Sequence, residues 1–200
     1  MIKAILLAAG QSKRLKSENK LIKLYKKTPL INHSLKKLQK SNVNKIIIVL
    51  GHDYKEIKKI IKKNKKNIFI YNKNFKKGMA SSIKVGLKKV ARNDEGFIVV
   101  QSDMPFIKTS DINKIYNSIK LKKFLVYKLK FKNKIGNPIG FDISLIKKFK
   151  NIRGEFGAKF MVKRLKKRTK FIKTSSVKSF KDFDKVSDFR TWSIKINPKK

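Results

Sequence analysis

The 200-residue sequence predicts an α/β fold, a three-layer sandwich in which helices cover both faces of a mainly parallel sheet. Two patterns lead to this prediction. Apolar runs of four to seven residues alternate with amphipathic stretches, and in those stretches Ile and Leu recur at three- and four-residue spacing. Repetition of strand, helix and strand is typical of a parallel sheet with crossover helices.

Each element follows from one of these patterns in chain order. The first apolar run begins at Lys3 and leads into an amphipathic helix, and the same succession recurs until a fifth strand begins at Phe124. The predicted strands are "KAILLAA", "KIIIVLG", "NIFIYN", "GFIVVQ" and "FLVYKLK". The predicted helices are "LINHSLKKLQKS", "DYKEIKKIIKKN", "MASSIKVGLKKVA" and "SDINKIYNSIK". Ligands of such sheets bind beyond the carboxyl ends of the strands, so the loops "GQSKRLKSENK", "GHDY" and "QSDMPF" are expected to form the binding region.

Composition narrows the class of protein. The length and the 40% hydrophobic content predict a single globular domain spanning residues 1–200. With no cysteine there is no disulfide framework, thiolate nucleophile or cysteine-ligated zinc, which fits a reducing compartment. No uncharged apolar run approaches the roughly 20 residues of a membrane helix. We therefore expect a soluble, cytoplasmic protein without a membrane partner.

The charge is the most unusual feature of the composition. There are 54 Lys and Arg against 12 Asp and Glu, a net charge of +42, which raises nucleic-acid binding as a function. However, only six of the cations are arginine, the side chain on which groove-reading proteins depend, and the lysines are spread over nearly every segment. A lysine-biased composition explains this pattern better than a specific nucleic-acid interface.

The loop after the first strand, "GQSKRLKSENK", places several phosphate-binding residue types together. It has neither the Gly-Lys-Ser/Thr ending of a Walker A motif nor the G-x-G-x-x-G of a dinucleotide fold. It retains Gly10 for close approach of backbone to a ligand, Ser12 as a donor, and Arg14 and Lys20 as cations. These suit a triphosphate, although an ordinary basic surface loop is the alternative.

Six segments, in order, resemble the nucleotidyltransferases that attach CMP or GMP to the molybdenum cofactor. The segment "LAAGQSKRLKSENKL" resembles that family's L-A-A-G-x-S-x-R-M-G-x-x-K signature, and "VVQSDMPFI" resembles its metal-binding D-x-P turn. The Ala-Ala-Gly start and the Gly-Met-x-x-Ser segment are closest to the cytidylyltransferase branch. The other matching segments are "NKNFKKGMASSIKVGL", "GNPIGFD" at the start of a strand, "RGEFGAKFMV" and "DFDKVSDF".

The resemblance implies a Rossmann-like nucleotidyltransferase fold of the glycosyltransferase-A type and assigns roles to residues. Arg14 and Lys20 would stabilise the triphosphate and the departing pyrophosphate, and Asp103 would hold Mg²⁺. The base and ribose would meet main-chain groups of Leu7, Ala8, Ala9 and Gly10.

The chain departs from the family pattern at several positions. One extra residue separates Arg14 from Lys20, and Lys16 or Ser17 replaces a glycine. The loop must therefore bulge differently. Further replacements are Lys73 for a proline, Lys26 and Lys27 for a turn glycine, and Val186 for a proline.

The acids suggest a cation site. Asp103 ends a strand just before Pro105, in a chain with only 12 acids, and an isolated carboxylate there suits Mg²⁺ bridged to phosphates. Its alternative role as a helix cap is better filled by Ser110 or Thr109. The second carboxylate would come from Asp184 or Asp182, with Asp184 favoured, unless both only form a turn.

Three small residues and two histidines complete the candidates. Gly78, Ser81 and Ser82 open a helix whose amides could receive phosphate or base, or they form an ordinary serine-rich helix start. His33 is expected to be structural because it lies in an amphipathic helix. His52 follows a strand and could approach a ligand.

The expected function is a Mg²⁺-dependent cytidylyltransferase that moves CMP from CTP to the terminal phosphate of molybdopterin and releases pyrophosphate. Its partners would be CTP or another NTP, the phosphorylated acceptor, and a molybdoenzyme or its chaperone. An acceptor such as a sugar phosphate or phospholactate is the alternative within the same reaction. A basic nucleic-acid-binding protein on the same fold is the alternative from another class, but such a protein has no need of "SDMP".

Overall fold

The structure, a computed structural model, describes residues 1–12, 15, 18–155 and 159–194. Its strands are β1 Ile2–Ala8, β2 Leu24–Tyr25, β3 Thr28–Pro29, β4 Lys45–Leu50, β5 Asn67–Tyr71, β6 Gly96–Gln101, β7 Val126–Phe131, β8 Lys134–Asp142 and β9 Thr169–Lys173. Its α-helices are α1 Leu30–Gln39, α2 Tyr54–Lys59, α3 Met79–Leu87, α4 Thr109–Lys120, α5 Lys159–Arg164 and α6 Val186–Ile194. Short 3₁₀ turns connect several of them.

Seven strands form one sheet in the order β5, β4, β1, β6, β8, β7, β9. The first four of these pair in parallel. Strand β8 runs antiparallel to both of its neighbours, and β9 pairs in parallel with β7. The α/β prediction with a mainly parallel sheet is therefore confirmed.

Helices pack on both faces of this sheet because successive side chains of a strand point to opposite sides. Along β1, Ile2, Ala4, Leu6 and Ala8 face a core that includes the apolar residues of α1 and α4. Ile5 faces the other core, against α3. Strand β1 is buried on both faces, which explains the continuous apolar run from Ala4 to Ala8.

The apolar pattern alone missed the short β2 and β3 and, within the seven-stranded sheet, β8 and β9. Strand β8 contains Pro138, and proline inside a run argues against a strand. The register between β7 and β8 shifts at Lys128 and Leu129, which pair with Ile139 and Gly136, so Pro138 lies in the irregularity and outside the ladder. The family resemblance did mark a strand at "GNPIGFD", which β8 contains.

Several predicted boundaries and one predicted cap were wrong. Helix α2 ends at Lys59, five residues before the predicted end, and α3 ends at Leu87. Neither Ser110 nor Thr109 caps α4, because both lie inside the helix, which follows Lys108 at the cap position. The hydroxyl of Thr109 donates to Lys37 O instead. None of the described helices is long and apolar enough to cross a membrane.

Candidate active site

A cleft of about 440 Å³ opens at the carboxyl ends of β1 and β6, where the fold predicts a ligand site. It is bounded by the loop after β1, the start of α3, the turn after β6 and the segment before α6. Its lining residues are Leu7, Ala9, Gly10, Gln11, Ser12, Lys20, Leu21, Phe75, Lys76, Gly78, Met79, Ser82, Gln101, Ser102, Asp103, Glu155, Asp182 and Asp184.

One lysine and two aspartates meet at the base of this cleft. Lys20 Nζ lies 2.6 Å from Asp103 Oδ2 and 2.7 Å from Asp184 Oδ1. These residues come from three distant parts of the sequence, with Lys20 separated by 83 positions from Asp103 and by 164 from Asp184. Two carboxylate oxygens therefore converge on a single cation.

Asp103 is held by the turn that follows β6. The hydroxyl of the buried Ser102 donates to Leu7 O at 2.6 Å, and the hydroxyl of Ser34 donates to Ser102 O at 2.9 Å. The carbonyl of Asp103 accepts the N–H of Phe183 at 3.0 Å. The turn is thus tied to β1, to α1 and to the segment that carries Asp184.

Asp184 is positioned by a third acid of the same motif, Asp188. Asp188 Oδ2 accepts the N–H groups of Asp184 at 2.8 Å and Lys185 at 2.9 Å. Its other oxygen lies 2.7 Å from Lys181 Nζ. Burial works to raise the pKa of Asp188, but these donors outweigh it and lower the pKa. Asp188 therefore stays ionised and fixes the start of α6.

The loop after β1 is pinned at both ends. Ser12 Oγ accepts the N–H of Lys20 at 3.0 Å and donates to Asn19 Oδ1 at 3.1 Å. The buried Asn19 also accepts the N–H of Leu21 at 3.1 Å and donates to Asp53 Oδ2 at 3.2 Å. Arg14, the other predicted phosphate ligand, lies outside the described residues.

The charges at the base of the cleft are mutually dependent. Burial lowers the pKa of Lys20, but Asp103 and Asp184 outweigh burial and raise the pKa. Burial raises the pKa of Asp103, opposed by Lys20. Lys20 therefore remains an ammonium ion, and a buried negative charge on Asp103 requires a cation beside it.

The cleft gathers acids in a basic chain. Its described lining residues carry Asp103, Glu155, Asp182 and Asp184, four of the 12 acids of the chain. Asp103 Oδ1 is fully buried and has no hydrogen-bond partner among the described residues. Among the described residues, no three or more His, Asp or Glu side chains cluster closely enough to hold a metal ion without other ligands. The donors thus fit a hard cation such as Mg²⁺ that takes one or two carboxylates and completes its shell with water and substrate phosphate.

Most of the predicted nucleotide-binding residues line this cleft. Leu7, Ala9, Gly10, Ser12, Gly78 and Ser82 do so. Ala8 does not, because its side chain faces the core shared with α1. Ser81 also lies outside it, where its Oγ lies 2.8 Å from Gly78 O and 2.9 Å from Asn74 O and can donate to either carbonyl.

The start of α3 differs from the expected open amide site. The N–H of Met79 donates to Glu155 Oε2 at 3.3 Å, and the N–H of Ala80 donates to Gly154 O at 3.0 Å. Gly78 adopts a φ of 89°, and a Cβ there would lie 2.7 Å from the backbone of Gly154. The segment "RGE" therefore packs over this helix start, a contact that the pattern of apolar residues does not reveal.

The two histidines have different surroundings. His33 Nε2 lies 2.8 Å from Tyr25 O, as expected for a structural residue. His52 stacks on Phe75, a residue that lines the cleft, with ring centroids 5.9 Å apart. His52 lies behind that wall and is not among the lining residues.

Comparison with known proteins agrees with this architecture. Residues 4–169 match the MobA-like NTP transferase domain family. A 2-C-methyl-D-erythritol 4-phosphate cytidylyltransferase of Lachnoclostridium phytofermentans is 35% identical over 133 residues, 61% of this chain and 53% of the relative. The bifunctional protein GlmU of Thermosipho melanesiensis is 30% identical over 116 residues, 57% of this chain and 24% of the relative. The matches thus span about a quarter to a half of the relatives' length.

A solved structure extends the similarity of fold to nearly the whole chain. Rv0371c of Mycobacterium tuberculosis superposes with a TM-score of 0.83 at 18% identity, covering 96% of each chain. A structure of the same protein in complex with manganese superposes with a TM-score of 0.79 at 15% identity, covering 96% of this chain and 97% of that one. At these identities the likeness establishes the fold alone.

Proposed function

Because the chain belongs to the MobA-like NTP transferase domain family, we propose that it moves a nucleoside monophosphate from an NTP to a phosphorylated small molecule. The observation that carries this proposal is the meeting of Lys20, Asp103 and Asp184 at the base of the cleft. A cation and two carboxylates at the carboxyl edge of a parallel sheet suit a metal-bound triphosphate.

The reaction requires positioning and charge neutralisation more than acid–base chemistry. A phosphate oxygen of the acceptor attacks the α-phosphorus of the NTP, the bond to the β-phosphate oxygen breaks, and pyrophosphate leaves with that electron pair. The attacking oxygen is already an anion near neutral pH, so no general base is required. The described lining residues include no histidine, in accord with this mechanism.

We assign the residues of the cleft to parts of this reaction. Lys20, together with Arg14, would stabilise the triphosphate and the departing pyrophosphate. Asp103 and Asp184 would hold Mg²⁺, which, when bound, offsets the phosphate charge that shifts toward pyrophosphate. Ser12 fixes the loop through its bond to the Lys20 N–H.

The remaining predicted ligands form the nucleotide side of the cleft. Main-chain groups of Leu7, Ala9 and Gly10 would meet base and ribose. Gly10 leaves open space where a side chain would stand, since a Cβ there meets no atom of the described residues within 4 Å. Gly78 and the buried Ser82 close the opposite wall.

We further propose CTP as the donor. Two observations support it, namely the Ala-Ala-Gly start at Ala8 to Gly10 and the cytidylyltransferase that is 35% identical. For the acceptor, the ordered motifs favour the terminal phosphate of molybdopterin, with a molybdoenzyme or its chaperone as a protein partner. A sugar or polyol phosphate is the second candidate, because the named relative is a 2-C-methyl-D-erythritol 4-phosphate cytidylyltransferase.

Pyrophosphate release tests this function. The purified protein is assayed with each of the four NTPs and Mg²⁺, against molybdopterin, 2-C-methyl-D-erythritol 4-phosphate, a sugar 1-phosphate and phospholactate in separate reactions. We expect release with CTP that depends on one acceptor. The matched control is Asp103→Asn. If no pair of NTP and acceptor yields pyrophosphate, the proposal is refuted. Equal release by wild type and Asp103→Asn would refute it as well.

A further inference from the structure

The ammonium of Lys20 stands at the point where the two carboxylates converge, which is where a divalent cation would bind them. Its Nζ lies 2.6 Å from Asp103 Oδ2 and 2.7 Å from Asp184 Oδ1. A Mg²⁺ ion bound to the same oxygens needs distances of about 2.0–2.1 Å to each. Both cations cannot occupy this point together, and at such separations they repel each other strongly.

We propose that, without a metal, the ammonium of Lys20 occupies the cation site between Asp103 and Asp184, and that it must leave this site before a divalent metal can bind the two carboxylates. This inference rests on the proposed function, because it uses the metal site assigned there. The triphosphate, when present, offers the displaced ammonium a new and strongly negative partner. Metal and nucleotide therefore bind cooperatively, since the nucleotide takes up the lysine that the metal expels.

The surroundings of Lys20 favour this exchange. Its side chain is only 16% exposed, and Asp103 Oδ2 lies in a partly buried site, so an unpaired carboxylate there is unfavourable. The lysine supplies the missing charge without a metal. Its backbone stays fixed by the bond from its N–H to Ser12 Oγ, so that only the flexible side chain has to move.

Metal binding without nucleotide or acceptor tests the proposal. Mn²⁺ is titrated into wild type, Lys20→Met and Lys76→Met, with free Mn²⁺ followed by electron paramagnetic resonance. Lys76 lines the same cleft, and no described residue forms an ion pair with it, so its loss controls for a general change in charge. We expect Lys20→Met to bind Mn²⁺ on the order of tenfold or more tightly than wild type. Lys76→Met should change the affinity by only about threefold or less, as expected for an exposed charge.

A second set of measurements distinguishes a change in metal binding from misfolding of the variant. Lys20→Gln should also tighten Mn²⁺ binding, and thermal melting should show a larger gain with Mn²⁺ for both Lys20 variants than for wild type. Adding Asp184→Asn should abolish the gain. CTP should tighten Mn²⁺ binding to wild type more than to Lys20→Met.

Equal Mn²⁺ affinities for wild type and Lys20→Met, or the same change in Lys76→Met, would overturn the proposal. An affinity that survives Asp184→Asn would overturn it as well, since the metal would then bind elsewhere. Pyrophosphate release by wild type would leave the proposed function intact in either case. Tighter Mn²⁺ binding without pyrophosphate release from any substrate pair would instead support the exchange and refute the transferase function.

Discussion

The backbone N–H of Lys20 donates to the hydroxyl of Ser12, eight residues earlier, at 3.0 Å. This bond closes the loop that carries one residue more than the family pattern. Inside the loop, the N–H of Leu15 donates to Ser12 O at 2.8 Å, and the Leu15 side chain is buried in the core. The described residues Ser12, Leu15 and Lys20 are therefore held in place, and Lys20 reaches the cleft.

Lys20→Ala should weaken binding of CTP with saturating Mg²⁺ by about 10- to 100-fold, since a charge-assisted hydrogen bond contributes about 1.5–3 kcal/mol. Calorimetric titration measures the effect. Lys76→Ala is the control because it removes a lysine from the same cleft without disturbing the carboxylates. Wild-type affinity and turnover in the Lys20 variant would remove this residue from the triphosphate site.

Asn19→Ala should release the pinned loop without touching the carboxylates. The buried Asn19 amide bonds the hydroxyl of Ser12, the N–H of Leu21 and the carboxylate of Asp53, so its loss leaves the buried N–H of Leu21 unsatisfied and costs about 1–3 kcal/mol. We expect a lower free energy of unfolding in urea and weaker CTP binding together. Unchanged CTP affinity would show that the pin does not position the phosphate ligands.

Asp103→Asn should reduce turnover on the order of 100-fold or more, the scale expected for loss of one electrostatic element of a phosphoryl-transfer site. The amide keeps the shape and one oxygen but not the charge that holds the metal. Because the residue lies in a turn, the fold should remain, and thermal melting beside the kinetics checks this. An active Asn variant would exclude Asp103 from the mechanism, and an unfolded one would leave it only a structural role.

His33 should make the protein less stable as the pH falls. Burial lowers its pKa below the ordinary value of about 6.5. A lowered folded pKa means that the unfolded chain binds the proton first, so stability is full above about pH 6.5 and declines as the pH falls toward the folded pKa. His33→Gln keeps a donor for Tyr25 O without the charge. Between pH 7.5 and 5, the melting temperature should therefore fall less steeply for this variant than for wild type. Equal pH dependence of the two melting temperatures would contradict the assignment.

Nucleic acid should bind the protein weakly, without sequence preference, and with an affinity that collapses as salt rises. The charge of +42 comes mostly from lysines dispersed along the chain, and such binding depends on counterion release. Fluorescence titration of two unrelated duplexes at about 50 and 200 mM salt measures both properties. Sequence-selective binding that persists at the higher salt would favour the nucleic-acid function instead.

The sequence predicted the central parallel strands and the location of the cleft because both depend on local patterns. The run before Gly10 and the run before Asp103 are continuous and apolar, as strands buried on both faces must be. It could not predict that Glu155 covers the start of α3 or that Asn19 contacts Asp53. These contacts join residues far apart in the chain, and single polar residues in loops carry no periodic signal that identifies their partners.

The carbonyl of Asp103 and the N–H of Phe183 tie the two acids of the site together, and this has a consequence for synthesis of the chain. Phe183 packs in a cluster of rings from Tyr25, Phe106 and Phe189, so the segment that carries Asp184 docks against β2, the loop after β6 and α6. Domains form from the amino terminus as they leave the ribosome. A nascent chain in which β1 and β6 have left the ribosome already holds Lys20 and Asp103, yet it lacks Asp184 until the segment after β9 emerges. The growing polypeptide therefore cannot bring the two carboxylates together before every described strand of the sheet has been synthesised.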